Sequence, residues 1–262
     1  MNHEIKEHIR NSLNKGIRLD GRKLDELRPI TIETGFISTA EGSARVKFGD
    51  AEVMAGVKMA IETPYPDSPD SGVLMVNAEL LPMSNPGFES GPPSIKSIET
   101  SRVIDRGVRE SKAVDTKKLC ITKGEKVWSL AIDVVPINYD GNLIDMGGLA
   151  AIAALKTARF PTVEKDGTID YHKPTTKKVE VSIVPIPVTI CKIGSLLVVD
   201  PTDEEEESID ARLTVTSISD EHICSLQKGG DHPLMQEEID AMVELALKKA
   251  AEIRKKLEEA LK

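Results

Sequence analysis

Three arginines recur at helical spacing within one short stretch of the chain, IETSRVIDRGVR at residues 98–109. Arg102, Arg106 and Arg109 follow one another at steps of four and three residues. At 100° per residue, their side chains lie within about 60° of one another on one helix face. Guanidinium groups stay charged at any relevant pH and match the geometry of phosphate oxygens. The spacing therefore predicts either a phosphate-binding face or a solvated, charged surface.

Neighbouring acids make the solvated surface the simpler interpretation of this pattern alone. Glu99, Asp105 and Glu110 lie three or four residues from the arginines and relieve their mutual repulsion. Like charges at i, i+4 cost only roughly 0.2–0.5 kcal/mol. A helix can therefore carry the three arginines without any ligand, and the phosphate contact is the alternative.

Seven carboxylates cluster near the last third of the chain. They are Asp200, Asp203, Glu204, Glu205, Glu206, Glu207 and Asp210. Clustered carboxylates can hold Mg²⁺ or supply a general acid. A loop of solvated acids is far commoner, so we expect a surface loop here.

A glycine-bearing turn at residues 139–148 precedes an Ala-rich segment. Such a turn can hold a phosphate on the amide groups of a helix N-terminus. Leu143 and Ile144, however, offer no side-chain hydrogen bond, and Asp145 in the first turn would repel an anion. The residue types therefore argue against an anion site at this turn.

The composition limits the class of partner. The formal net charge is −9 at pH 7, which argues against indiscriminate nucleic-acid binding but leaves room for a local basic patch. One Trp, three Tyr and four Phe are too few for an extended base-stacking platform. No apolar run approaches the roughly 18 residues of a membrane span, and the N-terminus lacks the apolar core of a signal peptide.

The cysteines and histidines predict no metal site and no cofactor. Cys120, Cys191 and Cys224 are widely spaced, and the five histidines are scattered without metal-ligand spacing. Free thiols in a reducing cytosol explain the cysteines best. We therefore expect a cytoplasmic protein.

Hydrophobic periodicity predicts the elements that position these residues. In chain order they are a short amphipathic helix at 3–14, an irregular charged segment at 17–30, an antiparallel meander at 30–62, a strand at 73–83, the arginine helix at 95–114, a buried strand at 126–138, a buried helix within 142–160, a second strand series at 177–200, a hairpin at 211–230 and an amphipathic helix at about 233–262. The apolar side of the arginine helix, through Val103, Ile104 and Val108, should face the core.

Two β-rich halves, each followed by a helix, predict an α+β fold in which sheets and helices form layers. No low-complexity linker divides the chain, so we expect one domain over residues 1–262. Its parts are an N-terminal helix at 1–16, a first half at 17–160 and a second half at 161–262 that ends in a long helix.

Four segments, in this order, resemble the RNase PH family of phosphorolytic exoribonucleases. They are LDGR at 19–22, EGSARVKFGDAEVMAGV at 41–57, ETSRVIDRGVRES at 99–111 and DGNLIDMGGLAAIAALKTA at 140–158. The resemblance extends from about residue 17 to 260. Within the family, the chain is most similar to the non-catalytic RNase PH-like subunits of the archaeal exosome ring.

The resemblance implies an RNase PH-like fold and a place in a hexameric ring. In such a ring, non-catalytic subunits alternate with a catalytic homologue, and cap subunits with RNA-binding domains sit on one face. Single-stranded RNA threads through the centre, where inorganic phosphate cleaves its 3′ end and releases nucleoside diphosphates.

The resemblance also assigns roles to the basic residues. Arg102, Arg106 and Arg109 fall on the family's arginine helix, which contacts RNA phosphates at the subunit junction. Lys96 lies where catalytic members place an arginine that also touches RNA. Family membership therefore favours the phosphate-binding face over the solvated surface.

The acidic and phosphate positions imply a non-catalytic subunit. Asp210 matches a carboxylate of the catalytic members, and Glu204 lies near the partner acid. Ile144 replaces the arginine that grips the attacking phosphate, and Asp145 follows it, so we expect no catalytic residues in this chain. Two alternatives stay open: an active exoribonuclease that uses Asp210 and Glu204, and a structural spacer whose arginines are only surface charge.

Overall fold

The computed structural model describes residues 3–164 and 168–262. Residues 1, 2 and 165–167 of the predicted domain lie outside this range. The described residues form helices α1 His3–Asn14, α2 Ile95–Glu110, α3 Leu143–Thr157, α4 Asp203–Glu206 and α5 Gln236–Ala260. They also form strands β1 Ile30–Thr34, β2 Gly42–Phe48, β3 Ala51–Glu62, β4 Val73–Ala78, β5 Cys120–Thr122, β6 Lys126–Asn138, β7 Arg159–Val163, β8 Ile169–Lys178, β9 Ile186–Ile193, β10 Leu196–Val199, β11 Ala211–Ser217 and β12 Ile223–Gly229.

The strands form two larger sheets and one hairpin. The first sheet has the order β1-β2-β3-β6-β4, with β5 added beside β6, and β1 to β3 are the predicted antiparallel meander. β4 joins as a parallel edge strand on β6. The second sheet has the order β10-β9-β11-β12 and is antiparallel throughout.

Helix α3 is the centre of the fold. It packs on β2, β3 and β6 of the first sheet and on β9 of the second. Its apolar residues surround the whole helix, and Met146 to Leu155 are buried, as the sequence predicts. Gly147 and Gly148 permit this double contact, because a Cβ atom would lie 3.0 Å from Val134 Cγ1 of β6 and 2.4 Å from Pro187 Cγ of β9 respectively.

Helix α2 is shorter than the sequence predicts. It begins after Ser94, whose hydroxyl accepts the Ser97 amide, and it ends at Glu110 rather than at residue 114. The chain leaves the helix at Lys112, which adopts a φ of 55° and so cannot continue a right-handed turn. The predicted apolar side is buried, so α2 presents its arginine face outward.

The two-stranded sheet of β7 and β8 was not predicted. Most residues of β8 are exposed and polar, so the strand lacks the apolar alternation by which strands are recognised. The C-terminal helix follows its predicted stripe, with Met242, Ala246, Ile253 and Leu257 buried. No described helix is both long and apolar enough to cross a membrane.

One hydrophobic cluster contains residues of both large sheets and of α3. The one-domain organisation remains a prediction.

Candidate functional site

The outer face of α2 carries two arginines that have no carboxylate partner among the described residues, which we call the open arginines. The side chains of Arg102 and Arg106 are exposed. Arg102 makes no hydrogen bond or ion pair with any described residue, and Arg106 only reaches Gln227 Oε1 at 3.5 Å. Both guanidinium groups therefore keep nearly all their donors for a ligand.

Arg109 is different, although it shares the same face. Its guanidinium contacts both carboxylate oxygens of Asp105, at 2.8 and 3.1 Å, and donates to the Leu74 carbonyl at 2.7 Å. The hydrogen bonds to Asp105 raise the pKa of Arg109. The structure thus uses Arg109 to tie α2 to the edge strand β4, and its predicted contact with RNA stays a prediction.

A groove of about 650 Å³ runs beside the open arginines. Its lining includes Ile95, Ile98, Arg102, Arg106 and Gln227. Ile95 and Ile98 are 87% and 47% exposed. Glu99 and Asp105 also line the groove, but they pair with Arg212 and Arg109 respectively, so the lining leaves Arg102 and Arg106 available to an anionic ligand.

A second cavity, of about 430 Å³, lies at the start of α3. It is lined by Lys96 and Glu99 of α2, by Leu143 and Ile144 of α3, and by residues of β9, β11 and the acidic segment. Leu143 and Ile144 therefore face the space in which the resemblance places an attacking phosphate. Neither side chain supplies a donor.

The Glu206 carboxylate accepts hydrogen bonds from donor groups around this cavity. Its Oε1 accepts the Asn142 amide at 2.7 Å, and its Oε2 pairs with Lys96 Nζ at 3.1 Å. The Tyr139 hydroxyl donates to the same carboxylate and also contacts Lys96. Burial raises the pKa of Tyr139, and the neighbouring Glu206 adds to this, so the hydroxyl remains a donor. An internal carboxylate thus occupies the place of an anionic ligand.

The remaining cation of the cavity is also paired. Arg212 Nη2 lies 2.6 Å from Glu99 Oε1. Lys96, which the sequence predicts to touch RNA, lies 4.1 Å from the centre of the Tyr139 ring in addition to its bond with Glu206. Both positive charges are therefore neutralised inside the protein. The sequence indicates Glu206 only as one member of the acidic run and does not indicate the pairings of Glu206, Tyr139 and Arg212, because these contacts join distant segments.

The structure corrects the prediction that Asp145 would repel a phosphate at this turn. The side chain is buried and does not line the cavity, and Thr189, which does, covers it: Oδ2 accepts the Thr189 amide at 2.8 Å and Oδ1 the Thr189 hydroxyl at 2.7 Å. Burial raises the pKa of Asp145 to about 7, against the effect of the Thr189 hydrogen bonds. Leu143, Ile144 and Glu206, rather than Asp145, make this cavity unsuited to phosphate.

Asp210 and Glu204, the two acids that the resemblance relates to catalytic carboxylates, do not lie at this cavity. The Asp210 carboxylate is held by Arg10 and by the Gly194 amide at 2.7 Å. Burial opposes its ionisation, but these hydrogen bonds lower the pKa of Asp210 overall. Glu204 is exposed on α4, and neither residue lines the cavity.

The prediction that the acidic run is a solvated loop was wrong for two of its members. Asp200 and Glu205 are buried. Arg28 donates to both oxygens of Asp200 at 2.7 and 2.9 Å, and Arg18 donates to both oxygens of Glu205 at 2.6 and 2.9 Å. Burial opposes ionisation, yet the bonds from Arg28 lower the pKa of Asp200.

This buried network fixes the loop before α3. Asn142 has a left-handed backbone with a φ of 55°, and its Nδ2 donates to Asp200 Oδ1 at 2.8 Å. Arg28 also binds Asp140 at 2.9 Å. The irregular segment at 17–30 therefore supplies arginines that hold the loop in place.

Among the described residues, no cluster of His, Cys, Asp or Glu has a metal-binding arrangement. The three cysteines are free thiols.

The sequence matches the 3′ exoribonuclease (RNase PH) family in both of its domains, domain 1 over residues 26–161 and domain 2 over residues 184–249. The chain belongs to the RNase PH family. This confirms the resemblance and the α+β, RNase PH-like fold.

Three members of the RNase PH family show how similar the chain is to known proteins. It is 47% identical to the exosome complex component Rrp42 of Thermococcus gammatolerans, over 98% of this chain and 95% of the relative. It is 42% identical to the Rrp42 of Methanothermobacter thermautotrophicus, over 98% and 95%. The fold superposes with a TM-score of 0.90 on a chain of the Archaeoglobus fulgidus exosome, solved with RNA bound to the active site, at 42% identity and 97% coverage of each chain.

Proposed function

We propose that this chain is a non-catalytic, RNA-contacting subunit of the archaeal exosome, a ring-shaped phosphorolytic 3′→5′ exoribonuclease. In the hexamer it alternates with a catalytic homologue and contributes RNA contacts to the neighbouring active site. Cap subunits with RNA-binding domains lie on one face of the ring. The relatives named as exosome components support this assembly, and the free thiols fit a reducing cytoplasm.

The contacts of Glu206 carry the non-catalytic assignment. Phosphorolysis requires an anionic nucleophile held in line with an anionic phosphodiester, which only fixed cations or amide donors can stabilise. In this chain the Asn142 amide and Lys96 are bonded to Glu206. A phosphate would have to displace this carboxylate and would then meet its negative charge.

The placement of the acids supports the same conclusion. A general acid must lie within hydrogen-bond reach of the group that it protonates. Asp210 is bonded to Arg10 and the Gly194 amide, and Glu204 points to solvent. This geometry disfavours an active exoribonuclease that uses these two residues.

The open arginines support a contact with RNA. Arg102 and Arg106 are exposed, have no carboxylate partner among the described residues, and lie beside a groove of about 650 Å³. An RNA backbone offers the phosphates that such guanidinium groups bind. This feature favours an RNA-contacting subunit over a structural spacer.

The test is an activity assay of the chain alone and with its catalytic homologue. We expect the purified chain to release no nucleoside diphosphate from single-stranded RNA, with or without inorganic phosphate. Phosphate-dependent release should appear when the catalytic homologue is added and the ring forms. Product from the pure chain would overturn the proposal.

Conservative variants of the two acids provide the control. Rings that carry Glu204→Gln or Asp210→Asn in this chain should keep their rate within about twofold, because neither group serves the reaction. A hundredfold loss, which is the order of magnitude of general acid catalysis, would make this subunit catalytic.

A further inference from the structure

The β7–β8 hairpin is a separate two-stranded sheet, outside the two larger sheets. Residues 162–183 lie outside both stretches that match the family domains. Seven of the ten residues of β8 are exposed, so the strand buries little apolar surface and adds little to the stability of the core. Its outer surface is free for a partner.

Four cations gather at the base of this hairpin. They are Lys156 in the last turn of α3, Arg159 of β7, and Lys177 and Lys178 of β8. Arg159 and Lys178 are directly opposite one another across the two strands, an arrangement that destabilises a sheet when both side chains carry the same charge. We call these four residues the hairpin cation cluster.

The carboxylates of the hairpin and of its bonded neighbours are already paired. Glu41, whose carbonyl accepts the Arg159 amide, binds Lys58 at 2.9 Å. Glu164 and Asp170 both pair with Lys173. A fourth carboxylate, Glu180, binds Lys118 at 2.7 Å.

No member of the hairpin cation cluster forms an ion pair with a described carboxylate. Lys177 Nζ lies 4.9 Å from the centre of the Phe160 ring, which attracts the ammonium group without neutralising it. Arg159 and Lys178 therefore present two positive charges without a described carboxylate partner on one face of the hairpin, whereas Lys177 lies beside Phe160 on the other face.

We infer that the hairpin cation cluster is a second binding site for the phosphate backbone of single-stranded RNA. This inference rests on the proposed function. A protein partner would need an apolar centre for its interface, whereas Thr176, beside Lys177 and Lys178, is polar and exposed. Phosphates need only the cations.

The site lies far from the cavity at the start of α3. The cluster begins at the opposite end of α3, whose 15 residues span about 22 Å at 1.5 Å per residue. An RNA that reaches from this cavity, where Lys96 and Glu99 of α2 lie, to the hairpin must therefore be longer than one that contacts the cavity end of α2 alone. RNA length becomes the variable that separates the two sites.

The test measures RNA binding by the ring that this chain forms with its catalytic homologue. The double variant Arg159→Gln/Lys178→Gln removes two charges at the base of the hairpin. We expect weaker binding of long RNA and a salt slope lower by about 0.7 for each lost contact. Binding of short RNA should not change.

The matched control is Lys173→Gln in the same hairpin. Its charge is already neutralised by Glu164 and Asp170, so binding of long RNA should stay unchanged. Equal binding of long RNA by the double variant and the wild type would refute the inference. So would an effect on ring assembly or on cap binding alone, because it would identify a protein partner. Weaker binding of short RNA by the double variant would instead point to the contact at α2, and would therefore bear on the proposed function.

Discussion

The chain places arginines in two settings that differ in what faces the guanidinium group. Arg18 and Arg28 are buried, and each donates to both oxygens of a buried carboxylate. Arg102 and Arg106 are exposed on α2, and neither faces a described carboxylate partner. Arg109 lies on α2 but belongs by its contacts to the first group.

The difference shows how one residue type serves both structure and binding. A buried arginine must be paired, because an uncompensated charge in the interior is very unfavourable. An exposed arginine loses little by staying unpaired, so its donors remain available to phosphate. Whether the guanidinium group has a carboxylate partner, rather than where the arginine lies on a helix, separates the structural role from the binding role.

The largest effect should follow from breaking the buried network at Asp200. Asp200→Ala removes the buried carboxylate that pairs with Arg28 and Arg22 and leaves Arg28 with the more exposed Asp140, and we expect the free energy of unfolding to fall by about 3–5 kcal/mol. Urea denaturation followed by circular dichroism measures this loss. Asp200→Asn is the matched control, because asparagine also tolerates the φ of 51° and keeps one of the two acceptor oxygens, so it should lose less. A loss below about 1 kcal/mol for the alanine variant would mean that the network does not stabilise the fold.

A smaller effect should come from the ionisation of Asp145, a buried carboxyl group that is hydrogen-bonded to Thr189 rather than to an arginine. Its folded pKa of about 7 lies above the ordinary value of 3.8, so between these pH values the native state binds more protons than the unfolded state. Stability supplied by this group is therefore present at low pH and is lost as the pH rises towards 7. We expect the unfolding free energy of the wild type, relative to Asp145→Asn, to fall by at least about 1.4 kcal/mol from pH 4 to pH 7.

The measurement is a pair of denaturation series across that pH range. The asparagine variant cancels the contribution of all other titrating groups. Parallel curves for the two proteins would show that Asp145 ionises normally in the folded state.

The smallest effect compares arginines on the same helix. Arg106→Gln should lower the salt slope of RNA binding by the ring by about 0.7, because one phosphate contact is lost. Arg109→Gln should leave the slope unchanged, since Asp105 and the Leu74 carbonyl already occupy that guanidinium. Salt titrations of RNA affinity distinguish the two variants. Equal slopes for both would remove the distinction between paired and open arginines on α2.

The sequence by itself determined the elements that depend on local periodicity. The meander, the buried strand β6, the Ala-rich helix α3 and the stripe of α5 follow from apolar spacing. The shared helix face of Arg102, Arg106 and Arg109 also follows, because side chains three and four residues apart lie on the same side of a helix. The lack of a donor at Leu143 and Ile144 is visible from residue chemistry alone.

Only the tertiary structure decided which charges are free. Asp200 and Glu205 appear in the sequence as members of a polar run, yet their arginine partners lie 172 and 187 residues away. Glu206 reaches Lys96 over 110 residues, and β8 is held by β7 rather than by any apolar pattern of its own. Periodicity reports which side of an element is apolar, whereas charge pairing depends on which elements the fold brings together.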